Sequence, residues 1–336
     1  MITVNEKLRR MPAPFAAQLC GYRLDRQQNL TDRPNTSDAS EEGSKELGRA
    51  LFEELRVPSD RVGPKDPGAR MEEAIQEHLQ QVCSHVAIHR SKSALDFQQY
   101  AHLRVFPEFK KGHKDAWPTI NDLLAIAQEL PRSKATSSLR RKLKAASTKF
   151  ATQDSISERL KLYMPEESLL NLDLTCALET EGKEPVLRLG LSSKWTLRTD
   201  RAQDCVSQGA KLASQRRGPM PHYAVITMEP RPAMLRILAD GSGAVDYVYH
   251  LDLPALTRAV EKVRLTKKDN WSPGITFDRL LKQGRIRDYD DMVEAVKSIS
   301  TYAPPTVPEG AIAEAEELAR RRGERLDEVE LPSRGV

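Results

Sequence analysis

Ser192, Lys194 and Asp173 are the residues whose types and spacing could do chemistry together. The run Val186-Leu187-Arg188-Leu189-Gly190-Leu191 places apolar side chains at every second position. That is the period of a half-buried β-strand, and it puts Leu187, Leu189 and Leu191 on the core face. Carried forward, the alternation sends Ser192 and Lys194 to the opposite, polar face. A second alternating run, Leu170, Leu172, Leu174, Cys176 and Leu178, leaves Asp173 on a polar face as well. A carboxylate, a hydroxyl and an ammonium at one spot form a metal-plus-lysine hydrolytic site. The carboxylate holds Mg²⁺, which polarises a phosphate and acidifies water, and the lysine orients that water. A plain surface ion pair on a hairpin is the competing reading of the same spacing.

The positioning elements come from the same two runs. They pair as a hairpin if the chain turns through Glu179-Thr180-Glu181-Gly182-Lys183-Glu184-Pro185. With the turn centred near Gly182, Asp173 falls opposite Ser192, and Lys194 lies on the diagonal, roughly 7–8 Å away and within reach of its long stem.

Directly after the lysine comes Trp195-Thr196-Leu197-Arg198-Thr199-Asp200-Arg201. Arginine is the usual bidentate partner of guanine O6 and N7, and aspartate can accept from cytosine N4. Arg198, Asp200 and Arg201 could therefore read adjacent G·C pairs in the major groove.

The segment Ser192 to Gln203 resembles the signature of the NgoMIV family of type II restriction endonucleases. Further matches lie at Gln98–Leu103, Pro221-His222, Glu229-Pro230 and Val248-Tyr249-His250. The similarity runs over about 36–111 and 169–298. It implies an α/β, restriction-endonuclease-like fold of the PD-(D/E)XK type, with a mixed central sheet flanked by helices. It also implies Mg²⁺-dependent double-strand cleavage of DNA at a palindrome with a CCGG core, GCCGGC being the candidate full site. The implied assembly is a homodimer or homotetramer.

Residue by residue, the resemblance puts Asp173, Lys194, Ser192 and Glu73 in the catalytic set, Glu73 as a helix glutamate aimed into the site. It puts Arg198, Asp200 and Arg201 on the inner G·C pairs and Asp38 near the outer pair. The outer-reading arginine slot falls on Met234, which cannot donate; Arg236, two residues on, would substitute from a regular strand. Asp173, Ser193, Asp204 and Gln208 form the candidate metal set.

Three departures stand out. Leu172 precedes Asp173 where the family has proline, the 21-residue spacing from Asp173 to Lys194 is short, and Gln208 replaces a glutamate. Asp204 or Glu73 could then supply the second carboxylate, with Gln208 hydrogen-bonding a water. Asp204 could also be a plain helix N-terminal charge. A DNA-binding relative that keeps the reading residues but cuts poorly is the alternative function.

Bulk properties suit these readings. The chain has 336 residues, a formal net charge of +4, 39% hydrophobic and 30% charged residues. Nucleic-acid binding would thus depend on local patches. No run of 18 apolar residues and no apolar signal core occurs, so neither a membrane span nor export is expected. Cys20, Cys83, Cys176 and Cys205 are scattered and suit reduced thiols of a cytoplasmic protein.

The expected organisation is one domain over 1–300, with a basic helical insertion at about 109–163, and a Pro-rich linker and charged helical tail over 301–336. The stretch 131–150 carries seven basic residues and no acidic one; it could neutralise flanking phosphates or be a solvated basic helix. Helices are expected near 46–55, 71–86, 202–215, 255–263 and 289–299, and strands at 223–228, 235–239 and 245–250. Residues 22–45 read as a solvated loop. His85 and His89 have metal-ligand spacing on a helix, but structural histidines are the better reading.

Overall fold

A computed structural model describes residues 13–38, 40–112, 116–163, 170–240 and 243–300. Contacts divide the chain into Met1–Lys297 and Ser298–Val336, and every described helix and strand belongs to the first unit. The expected tail helix lies outside the described residues.

The N-terminal part is built from a short helix α1 (Ala16–Leu19), a hairpin of β1 (Tyr22–Leu24) and β2 (Leu30–Pro34), and helix α2 (Glu42–Glu54). The hairpin lies where the sequence reads as a solvated loop. Its strands are three and five residues long, too short and too polar to show the apolar alternation that marks a core strand. Helix α3 (Pro67–Val82) starts four residues before the expected 71–86 helix and ends four residues sooner. Asp66 caps it by accepting from the Ala69 amide, with Pro67 in the first turn, and Met71, Ile75 and Leu79 form its buried stripe.

The chain then turns into β3 (Ala87–Ser93), an edge strand, so His89 sits on a strand facing Glu179 instead of on a helix. Two 3₁₀ turns lead to α4 (Val105–Gly112), and the insertion continues as α5 (Trp117–Glu129) and α6 (Lys134–Tyr163), which pack on each other. The basic run falls in the turn before α6 and its first half.

Next come β4 (Asn171–Leu178), β5 (Val186–Lys194), α7 (Thr199–Gln215) and β6 (His222–Thr227). The expected strand at 235–239 is instead helix α8 (Pro232–Ala239). Leu235, Ile237 and Ala239 alternate as in a strand, but the buried residues are Leu235, Leu238 and Ala239, and Pro232 in the first turn pre-sets the helical φ. Strand β7 (Tyr247–His250), α9 (Leu253–Arg264), α10 (Ser272–Lys282), β8 (Ile286–Asp288) and α11 (Tyr289–Lys297) complete the unit. None of the described helices is long and apolar enough to cross a membrane.

One six-stranded sheet, in the order β3-β4-β5-β6-β7-β8, organises everything. Its first three strands are antiparallel and β5 to β8 are parallel. The sheet is thus mixed and flanked by helices. Its central strands are buried on both faces, as parallel strands with helical crossovers must be.

Candidate functional site

Asp173 lies where two strands part. The β4–β5 ladder ends at Leu174↔Leu191, whereas β5 stays paired with β6 as far as Lys194↔Thr227. One edge of the last three residues of β5 is therefore unpaired, and the Asp173 carboxylate fills it. Its Oδ2 accepts from the Ser193 backbone N–H (2.7 Å), the Ser192 hydroxyl (3.1 Å) and the Lys194 ammonium (2.6 Å). Its Oδ1 has no hydrogen bond among the described residues and remains available. Asp173 and Lys194 are about a quarter exposed, so the pair is reachable from solvent yet screened less than a surface pair. Ser192 is fully buried and also accepts a weak contact from the Cys205 thiol at 3.4 Å.

Of the two neighbouring glutamates on α3, Glu72 is the half-buried one that interacts electrostatically with Asp173. Glu73 is exposed and lies 3.7 Å from Arg90 on the outer side of α3. Glu72 flanks the buried stripe, and burial first, then the Asp173 carboxylate, push its pKa above the usual range, against the pull of Lys194 and Arg90. A half-buried carboxylate whose ionisation a neighbouring carboxylate disfavours is a candidate partner for it around a divalent cation. Among the described residues, no group of three or more His, Cys, Asp or Glu is set for a metal. An ion here would complete its shell with water and substrate oxygens, as Mg²⁺ ordinarily does.

The other candidate ligands are placed differently. Gln208 donates from Nε2 to the Asn171 carbonyl (3.2 Å), and its Oε1 accepts from the Tyr223 hydroxyl (3.1 Å). Its amide is thus a tie between α7, β4 and β6. That tie needs Gly209 beside it, where a Cβ would stand 2.2 Å from the Ala244 carbonyl oxygen and 2.7 Å from the Tyr223 ring. Asp204 is exposed one turn earlier on α7. The Ser193 hydroxyl alternates to the far face of β5, buried without a partner, and only its amide reaches Asp173.

Beyond Lys194 the chain crosses to α7, and a buried ion pair fixes that crossing. Arg231 bonds Glu229 through Nε (2.6 Å) and Nη2 (3.1 Å), Glu41 through Nη1 (2.8 Å) and the Leu197 carbonyl through Nη2 (2.6 Å). Glu229 in turn accepts from the Leu197 amide at 2.8 Å. Burial raises the pKa of Glu229, and Arg231 opposes the rise. Both backbone groups of Leu197 are therefore held. Arg198 stands as the N-cap of α7, with Asp200 and Arg201 exposed in the first turn. The spacing of Glu229 and Arg231 carries no periodic signal to mark this brace.

Asp38 lines the same cleft as Arg198 and Arg231. The amide and hydroxyl of Ser40 hold its carboxyl below the usual range, with help from Arg231 and Arg198. Arg236 does not line that cleft. It is exposed on α8, and two residues on a helix are turned about 200° apart, so it cannot stand in for Met234 as it would on a strand.

Residues 161–294 match the family described as NgoMIV restriction enzyme. A curated relative, the type II restriction enzyme NgoMIV of Neisseria gonorrhoeae, is 34% identical over 112 residues, which are 33% of this chain and 37% of that protein. The chain thus spans little more than a third of the length of that relative.

Proposed function

We propose that this protein, whose residues 161–294 match the NgoMIV restriction enzyme family, is a metal-dependent endonuclease cutting duplex DNA at a palindrome with a CCGG core. The observation that carries the proposal is the convergence of Ser192, the Ser193 amide and Lys194 on Asp173 where β4 and β5 part, with the half-buried Glu72 within electrostatic reach of Asp173. A structural ion pair needs only the aspartate and the lysine. It gives no reason for a second, half-buried carboxylate, Glu72, within electrostatic reach of the first.

Each residue has a task set by its surroundings. Asp173 Oδ1 and Glu72 would hold Mg²⁺, which supplies charge neutralisation to the phosphate and favours ionised water. Lys194, ion-paired with Asp173, is a donor that can orient the attacking water and hold a non-bridging phosphate oxygen. The hydroxyl of Ser192 and the amide of Ser193 fix the Asp173 carboxylate so that it does not swing onto the lysine alone. Arg198, Asp200 and Arg201, exposed at the start of α7, would meet base edges a few residues beyond the cutting group. A palindrome calls for two such centres, so a homodimer, or a homotetramer of two dimers, is the assembly that fits. The DNA substrate and the four buried free cysteines suit the cytoplasm.

The weak-cutting alternative has one specific support, the neutral Gln208 tied up by Tyr223 and Asn171. Glu72 answers it by providing a carboxylate from another element. Plasmid incubated with the full chain and Mg²⁺, beside an EDTA control, tests the proposal. Linear product only with Mg²⁺ supports it, and intact plasmid under all conditions refutes it.

A further inference from the structure

A narrow cleft of about 100 Å³ opens beside the start of α7, with Arg23, Arg33, Asp38, Thr196, Arg198 and Arg231 in its walls. The charges there do not balance. Arg231 is already committed to Glu229 and Glu41, and Asp38 is turned to Ser40 and Arg231. That leaves Arg23, Arg33 and Arg198 with no carboxylate within ion-pair distance among the described residues. The Nε atoms of Arg23 and Arg33 are buried and have no partner.

The three guanidiniums also work against each other. Burial, then Arg33, then Arg198 lower the pKa of Arg23, and Asp38 only partly opposes them. The N-terminus of α7 adds to the positive field, since no side chain caps its first amides. Two hydrogen bonds hold the cleft in place. The Asn35 carbonyl accepts from both Arg23 Nη2 (3.1 Å) and the Trp195 indole (3.1 Å), tying the β1–β2 hairpin to the crossing after Lys194.

We propose that this cleft seats one backbone phosphate of the duplex, held by Arg23 and Arg33 with Arg198 at its edge. The inference rests on the endonuclease reading and deepens it. Phosphates stand out from a duplex, whereas base edges lie at the floor of a groove and are met by side chains that protrude. Recessed arginines suit the first and not the second, and the planar guanidinium matches a phosphate in two-point fashion. The hairpin would thereby fix the register in which Arg198, Asp200 and Arg201 face the bases.

The test is a fluorescence-anisotropy titration of the full chain without divalent metal, over a series of salt concentrations, on a CCGG duplex and a scrambled one. Arg23→Gln and Arg33→Gln should each weaken both duplexes alike. Each should also flatten the slope of log affinity against log salt by about 0.9 per bound protomer, the value for one lost phosphate contact, and so by about 1.8 for a dimer. Arg33→Lys should restore the slope, which a merely structural role would not require. On wild-type protein, a single neutral methylphosphonate at one flanking position should cost affinity, and that cost should vanish in Arg33→Gln. An unchanged slope, a loss confined to the CCGG duplex, or no position coupled to Arg33 would overturn the proposal. If those results come with Arg198→Ala abolishing the CCGG preference, the endonuclease reading stands without the phosphate cleft. A wild-type chain that binds neither duplex overturns both.

Discussion

The Lys194 ammonium lies 2.6 Å from the Asp173 carboxylate although the two residues are on different strands, and β4 and β5 stop pairing just where they meet. The contact therefore sits at a fork in the sheet, open to a substrate, and not inside a regular ladder. Loss of either partner should remove chemistry more than binding. Lys194→Ala and Asp173→Ala are expected to slow cleavage by about 10²–10⁴-fold, the range for a positioned proton-handling group. Gel shifts with Ca²⁺ should show specific DNA binding retained. A fully active Asp173→Ala protein would sink the assignment.

The two neighbouring glutamates separate cleanly. Glu72→Gln should raise the Mg²⁺ concentration needed for half-maximal cutting, because the variant keeps the shape and loses the charge. Glu73→Gln should change the rate little, its contact with Arg90 being exposed and 3.7 Å long. Equal effects of the two substitutions would contradict the placement of α3.

Gln208→Glu tests the departure from the family. A carboxylate has no donor for the Asn171 carbonyl, so the variant should lose about 0.5–1.5 kcal/mol of stability in urea unfolding. Cleavage should not rise. If the wild type binds CCGG but cuts only once Gln208→Glu is made, the weak-cutting alternative is correct.

Glu229→Ala should be the most destabilising of these changes. It leaves the buried Arg231 with only the half-exposed Glu41 as a close carboxylate and frees the Leu197 amide. Breaking a buried pair from one side costs about 3–5 kcal/mol, to be read from denaturant midpoints. A loss below about 1 kcal/mol would mean that the brace is not buried in solution.

Acid stability carries a separate signature at the ends of β7 and β8. Burial lowers His250 to about 4 and raises Asp288 to about 6. His250 therefore contributes stability above pH 6.5 that is lost as pH falls toward 4. Asp288 acts oppositely: its ionised form is penalised above pH 6, and that penalty disappears as pH falls through 6 toward 3.8. Asp288→Asn, which keeps the acceptor for the Leu253 amide, should thus gain on the wild type by up to about 3 kcal/mol between pH 4 and pH 7. Parallel stability curves for the two proteins would show that Asp288 is ordinary.

The hairpin bearing Asp173 and Lys194 is legible in the sequence because the apolar alternation marks its strands and Gly182 marks its turn, whereas the bulge between Cys176 and Ala177 that brings Asp173 level with Ser192 leaves no such mark. Glu72 is not, since adjacent helix positions differ by about 100° and only the seating of α3 on the sheet decides which flank meets Asp173. Residues 235–239 read wrongly as a strand because Leu235, Ile237 and Ala239 satisfy that period, while packing selects the helical one. The short hairpin of Arg23 and Arg33 leaves no hydrophobic pattern at all.

Sequencing the ends produced from a genomic DNA digest with Mg²⁺ is the most direct measurement of the central claim. Wild-type protein should yield ends that all fall at one palindrome containing CCGG, with none produced by Lys194→Ala. Ends scattered over unrelated sequences, or the same ends from Lys194→Ala, would contradict it.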